Sequence, residues 1–158
     1  MLTLPHLSSP PVVVLVEPEI PQNTGNIVRL CACTGAKLYL VGKLGFRLDD
    51  KFLDRAAMDY RQQVEPRHVW QFETVLQENE GYTPYFLSSK ATQSHWQMKI
   101  PPASLLVFGS ETKGLPAAFL AAHAHQAVRL PMVEGARSLN LSNTVAVVLY
   151  DVLRQALA

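Results

Sequence analysis

Charge is scarce in this chain. Charged side chains make up 17% of its 158 residues, and 14 Lys and Arg against 13 Asp and Glu leave a net charge of +1. That balance exerts no global pull on a polyanion, so any nucleic-acid partner must be held by a local patch. Long apolar runs are also missing: none approaches the ~20 residues that span a bilayer. The opening MLTLPHLSSPP has no basic start leading into an unbroken apolar stretch, so no secretory signal is visible. Residues 1–11 are expected to form a short, proline-broken arm ahead of the first strand. Cysteine is nearly absent. Cys31 and Cys33 lie two apart in one expected helix, where side chains diverge, so neither a disulfide nor a shared metal is expected. Packed thiols in a reducing cytoplasm are the plain reading. His123 and His125 are likewise two apart and are expected at a solvent-facing helix end. With no other Cys, His or Asp cluster at ligand spacing, the chemistry is expected to be metal-free.

Two nucleotide motifs are lacking as well. No strand is followed by G-x-G-x-x-G, the usual turn for a dinucleotide. GSETKGLP (Gly109–Pro116) resembles a phosphate loop only at first sight, because Gly114 is followed by Leu115 and Pro116 where that motif needs lysine and a hydroxyl. Its glycines permit close backbone approach to a ligand. It reads as a cradle without phosphate machinery.

What is present is an alternation of apolar strands and helices. Strands are expected at Val12–Val16, Lys37–Val41, Pro84–Ser88, Ala103–Gly109 and, briefly, in AVRLP (127–131). Helices are expected in TGNIVRLCACTG closed by Gly35, in FETVLQEN, in LPAAFLAAHA with Pro116 near its start, and from Asn140 to about Leu157. This pattern predicts an α/β fold: one domain over residues 1–158, with a mainly parallel sheet covered by helices on both faces. In such sheets ligands bind beyond the carboxyl ends of the strands. Three of the four informative loops there, EPEIPQNTGN, GSETKGLP and PMVEGARSLN, have a pocket's composition.

Three features invite a role. In the first loop and helix, a cap accounts for Asn23 or Thr24, but Arg29 is a charge inside the apolar run IVRLCAC. It either pairs with Glu17 or Glu19 or serves as an anchor for an anion or ribose. In KLGFRLDDKFLDR, Lys43, Arg47, Lys51 and Arg55 recur every four residues and would line one face wherever the segment is helical, although Gly45 suggests that it begins as a loop. Interleaved Asp49, Asp50 and Asp54 suit a solvated, salt-bridged face, whereas Phe46 beside the cations suits a single-stranded RNA contact. In the last helix, Val145, Val148, Leu149, Val152 and Leu153 form a stripe with Ala146, Tyr150 and Leu157 beside it. So wide an apolar arc is expected to be buried on two sides. Its first turn is crowded with Arg137, Ser138, Asn140, Ser142, Asn143 and Thr144, far more hydrogen-bonding capacity than one cap needs.

Taken together, EPEIPQNTGNIVRLCACTG, LLVFGSETKGLP and VRLPMVEGARSLNLSNTVAVVLYD resemble, in order and spacing, the three signature motifs of the SPOUT superfamily of RNA methyltransferases. The match is to its TrmH-like branch of ribose 2′-O-methyltransferases and covers nearly the whole chain. With GFRLDDKFLDRAAMDY included, it is nearest the small, single-domain TrmL (YibK) type. The resemblance implies a C-terminal trefoil knot, S-adenosylmethionine as cofactor, a homodimer formed through the last and first helices, and methylation of the wobble nucleotide, cytidine or modified uridine, of leucine tRNAs. Another tRNA or rRNA nucleotide, or a non-catalytic RNA-binding module of the same fold, is the alternative. Carried over by position, Leu87, Gly109, Leu130 and Ser138 would contact the cofactor, and Met132 and Leu139 beside them would share the contact. Arg29, Glu111, Ser138 and Asn140 would form the catalytic site; Lys43, Phe46, Arg47 and Lys51, from their own composition, remain the candidates to meet RNA. KATQSHWQMKI (Lys90–Ile100) corresponds to nothing in the resemblance.

Overall fold

The computed structural model describes residues 3–158, so the first two residues of the arm lie outside it. Six strands form one sheet: β1 (Val12–Val16), β2 (Lys37–Val41), β3 (Arg67–Val69), β4 (Thr83–Leu87), β5 (Ser104–Phe108) and β6 (Ala127–Val128), in the order β3-β2-β1-β5-β4-β6. Every pairing is parallel, with Val12 opposite Lys37 on one side of β1 and Leu105 on the other. The helices are α1 (Pro21–Thr34), α2 (Lys51–Ala57), α3 (Phe72–Glu78), α4 (Ala117–Ala122) and α5 (Leu141–Leu157).

The VVVLV run is continuous because both of its faces are buried. Val13 and Leu15 pack into a cluster with Ile27 and Val28 of α1, Leu53 of α2 and the α5 stripe Val145, Val148, Leu149, Val152 and Leu153. Val12, Val14 and Val16 point the other way, against Phe72 and Val75 of α3, with Phe119 of α4 packed on that cluster. Each buried Val or Leu side chain contributes about 1.5–3 kcal/mol, so the central strand and α5 anchor the fold. Gly35 ends α1 in a left-handed turn, as its position predicts. Cys31 is buried but Cys33 is exposed, so only one of the two is the packed thiol expected, because side chains two apart on a helix diverge; burial pushes the Cys31 thiol up to about 12. Among the described residues, no helix is long and apolar enough to cross a membrane.

Three further sequence expectations need correction. β3 is an additional strand, three residues long and buried only at Val69. The strand in AVRLP is confined to Ala127–Val128. Where the evenly spaced cations lie, by contrast, the expectation stands: as Gly45 suggests, the segment begins as a loop holding Lys43 and Arg47, and α2 starts at Lys51, where the Asp50 side chain caps it by accepting from the N–H groups of Phe52 and Leu53. Finally, His125 is exposed, but His123 is half-buried, its ring stacked on Phe86 at 4.5 Å between centroids.

Candidate functional site

A cavity of about 680 Å³ opens where the carboxyl ends of β4 and β5 meet the start of α5. Leu87 closes β4, Gly109 follows β5, and Leu130 and Met132 follow β6. All four line the cavity together with Glu111, Ser138, Leu139 and Asn140. Its walls are of two kinds. Leu87, Phe108, Leu115, Leu130 and Met132 supply apolar surface, while Ser88, Lys90, Ser110, Arg137 and Thr144 supply polar groups; Ser88 and Lys90 were not singled out from the sequence, whereas the other three lie in the cradle loop and at the polar start of the last helix. Residues Val133 to Asn140 are exposed throughout, so one wall is an open loop.

Two long-range ties hold the mouth in shape. The Glu111 carboxylate accepts from the backbone N–H of Glu19 (2.7 Å) and Ile20 (3.2 Å), joining the loop after β5 to the loop after β1. In return, the Glu19 carboxylate accepts from the Thr112 hydroxyl at 2.7 Å. That bond, helped by Ser110, lowers the Glu19 pKa from its ordinary value. A depressed carboxylate favours the folded state above its unfolded pKa, and this contribution is lost as pH falls through the folded value. The clamp is therefore secure at neutral pH. Glu111 acts here by fixing the turn into α1, whose N-cap residue Ile20 offers no side-chain cap.

Asn23 is not a cap either, contrary to expectation. Its side-chain oxygen accepts from Asn140 Nδ2 at 3.0 Å, tying α1 to α5. The Asn140 oxygen accepts from the Ser142 N–H at 2.9 Å and the Ser142 hydroxyl at 2.6 Å, while the Thr144 hydroxyl donates to the Asn140 carbonyl. Much of the polar first turn of α5 is thus engaged in capping itself and docking α1. Arg137 and Ser138 are exposed and line the cavity. Asn140→Ala should lower stability by about 1–2 kcal/mol, a cap plus one tie. Urea unfolding checks it: a midpoint equal to the parent's would mean the cap and the tie contribute nothing.

The other expected residues stand apart from the cavity. Arg29 is exposed on α1 and pairs with neither Glu17 nor Glu19 among the described residues. Its guanidinium lies over the Tyr60 ring, 5.8 Å from the centroid. Arg47 forms a bidentate pair with Asp49 (3.0 and 3.1 Å). Phe46 is packed with Leu44 and Leu48 against the core, which corrects the expectation of a ring standing ready to stack. Lys43 and Lys51 are exposed.

Gly109 is the residue that most restricts what the cavity can hold. A Cβ there would overlap the backbone of Gly114 and Leu115, so the cradle loop folds directly onto the end of β5 and presents backbone, not side chains. Apolar walls beside a backbone-lined turn suit a flat heteroaromatic ring, and Ser and Asn groups suit a ribose.

Residues 10–150 match the model of the SpoU rRNA Methylase family. The chain is 44% identical over 144 residues to a tRNA (cytidine(34)-2′-O)-methyltransferase of Escherichia coli (strain K12), spanning 90% of this chain and 92% of that one. A solved structure described as giving structural insights into the 2-OH methylation of C/U34 on tRNA aligns with TM-score 0.86 and 36% identity, over 92% of this chain and 95% of its own. The SpoU methyltransferase AviRb from Streptomyces viridochromogenes, in complex with the cofactor AdoMet, shares the fold at TM-score 0.85 and 23% identity, over 98% of this chain and 61% of its own.

Proposed function

The chain belongs to the SpoU rRNA methylase family, and from that membership we propose that it methylates the ribose 2′-hydroxyl of nucleotide 34, a cytidine or modified uridine, in leucine tRNAs of the cytoplasm. The observation that carries this reading is the convergence of Leu87, Gly109, Glu111, Leu130, Met132, Ser138, Leu139 and Asn140 on one cavity from four separate stretches of chain. The cofactor proposed for it is S-adenosylmethionine. When bound, it supplies a methyl group on a sulfonium, transferred by in-line displacement without a metal or a covalent intermediate.

The chain's own residues do the rest. Gly109 and the Ser110–Leu115 backbone cradle the adenosine, with Leu87, Leu130, Met132 and Leu139 against its apolar faces. Glu111 holds the turn into α1, and Asn140 locks α5 to Asn23 so that Ser138 faces the ribose. Orientation is the main catalytic resource in such a site. Arg29 stays protonated and is a poor base. Its part is to orient the RNA ribose or phosphate and stabilise charge developing on the 2′-oxygen. A substrate phosphate or water takes the proton.

A homodimer through α5 and α1 belongs to the same proposal. Val147 and Tyr150 of α5 are nearly half exposed and Leu157 more than a third, beside a stripe already buried in its own subunit. Arg29 is exposed and does not line the cavity of its own subunit, and in this proposal it serves the ribose held by the other copy. The trefoil knot implied by the family resemblance would lie in the segment from β5 to α5, which builds most of the cavity.

The test is transfer from labelled S-adenosylmethionine to unmethylated tRNA pools, with the modified nucleotide mapped and the enzyme's mass followed by light scattering. Label at position 34 of leucine tRNAs by a particle of twice 17.5 kDa is expected. Label elsewhere would favour another RNA target. RNA binding without transfer would favour a non-catalytic module, and full activity in a stable monomer would remove the dimer.

A further inference from the structure

Residues 81–110 and 112–133 contain no Asp or Glu, yet they hold Lys90, Lys99, Lys113 and Arg129. The loop from Lys43 to Arg55, by contrast, interleaves its cations with Asp49, Asp50 and Asp54. The acid-poor region is also built as a platform. Beyond the end of β6, Arg129 N–H donates to the Gln93 carbonyl at 2.8 Å, and the His95 N–H donates to the Arg129 carbonyl at 2.9 Å. Ser94 and Arg129 thus continue the parallel pairing past the last named strand. His95 is fully buried, its Nε2 3.7 Å from an Asp151 carboxylate that Arg154 and Gln155 also engage. The next residue, Trp96, has its N–H held by the Ser94 hydroxyl at 3.2 Å and its side chain 69% exposed.

A buried anchor followed by an exposed indole, with Lys99 three residues on and Arg129 bonded through its backbone to the same loop, has the composition of a surface for unpaired nucleotides: aromatic faces stack bases while cations track the phosphates. The other exposed tryptophan, Trp70, has a different setting, in a recess with Glu17 and Glu73 whose carboxylates repel phosphate. The Trp96 platform also leads into the cavity, because Lys90 and Leu130, which adjoin it in the chain, both line that space. We propose that single-stranded RNA next to the reactive nucleotide binds this platform, one base stacked on Trp96 and its phosphates met by Lys99 and Arg129, with Lys90 at the entrance to the cavity. This rests on the RNA-methylation reading and adds to it a path for the substrate.

The experiment compares the full-length parent with Trp96→Ala, Trp96→Phe, Arg129→Gln and Trp70→Ala. It measures tRNA affinity across a salt series, S-adenosylmethionine affinity by calorimetry, and ultraviolet crosslinking from a photoreactive residue at position 96. Trp96→Ala should weaken tRNA binding on the order of tenfold, with cofactor affinity unchanged and Trp96→Phe close to the parent. Arg129→Gln should make the salt slope shallower by roughly one unit or slightly less, and Trp70→Ala should do neither. Parental tRNA affinity and slope in both Trp96→Ala and Arg129→Gln, or crosslinks to a protein instead of tRNA, would overturn the site while leaving methylation intact. A parent that neither binds nor methylates tRNA would overturn the functional reading and the site with it.

Discussion

Gly109→Ala is expected to abolish cofactor binding and to lower the melting temperature markedly. The added methyl would overlap the carbonyl carbon of Gly114 and the amide nitrogen of Leu115. Those atoms are backbone, so no side chain can swing aside and the cradle loop itself must lift. Overpacking of this kind costs typically 1–3 kcal/mol, and direct backbone overlap belongs at the upper end. Lifting the loop also pulls Thr112 from Glu19 and Glu111 from the turn into α1, so the mouth loosens at two more points. Gly114→Ala provides the contrast. Nothing lies within 4 Å of its added methyl, but its φ of +66° is left-handed, which costs an L-residue roughly 1–2 kcal/mol. Gly114→Ala should melt earlier yet still bind. Calorimetric titration beside circular-dichroism melting separates the two, and a Gly109→Ala protein that binds S-adenosylmethionine like the parent would refute the cradle.

Arg29→Ala is the second large effect. Methyl transfer to tRNA should fall on the order of 10²- to 10³-fold, the usual loss when one donor to a developing oxyanion is removed. Because Arg29 does not line the cavity, cofactor affinity should hardly change, and because it is exposed on α1, stability should hardly change either. Arg29→Lys should restore little, since an ammonium lacks the planar fork. Single-turnover rates with saturating tRNA decide the matter. A rate within a few-fold of the parent's would mean that the arginine over Tyr60 serves the surface alone.

Legibility from sequence follows the range of each interaction. β1, β2, β4 and β5 could be read because their apolar runs are buried on both faces, and α5 because its stripe recurs at helical spacing beneath an Asn cap. β3 could not, since a three-residue strand with one buried side chain has no pattern of its own. In the four-residue rhythm from Lys43 to Arg55, Gly45 marked the beginning as loop, and the capping Asp50 marks where the helix starts. At the site, eight of the expected residues converge, whereas the ties that shape the mouth were out of reach. Glu111 meets backbone 92 and 91 residues away, and Asn140 meets a side chain 117 away. Local reasoning gave Asn23 to a cap because a cap is the only partner a short window contains.

The sheet order also sets a timetable for the nascent chain. β1 pairs on one side with β2, which follows it closely, but on the other with β5, where Val12 meets Leu105. At ordinary translation speeds that separation corresponds to on the order of ten seconds after β1 has been made. Throughout that interval VVVLV, a five-residue apolar strand, has one edge without its partner, the kind of template on which other chains assemble. The cavity comes later still, because Asn140 and Ser138 are made after β6. A ribosome that stalls between β2 and β5 therefore holds a chain with one edge of β1 open and its cavity unfinished.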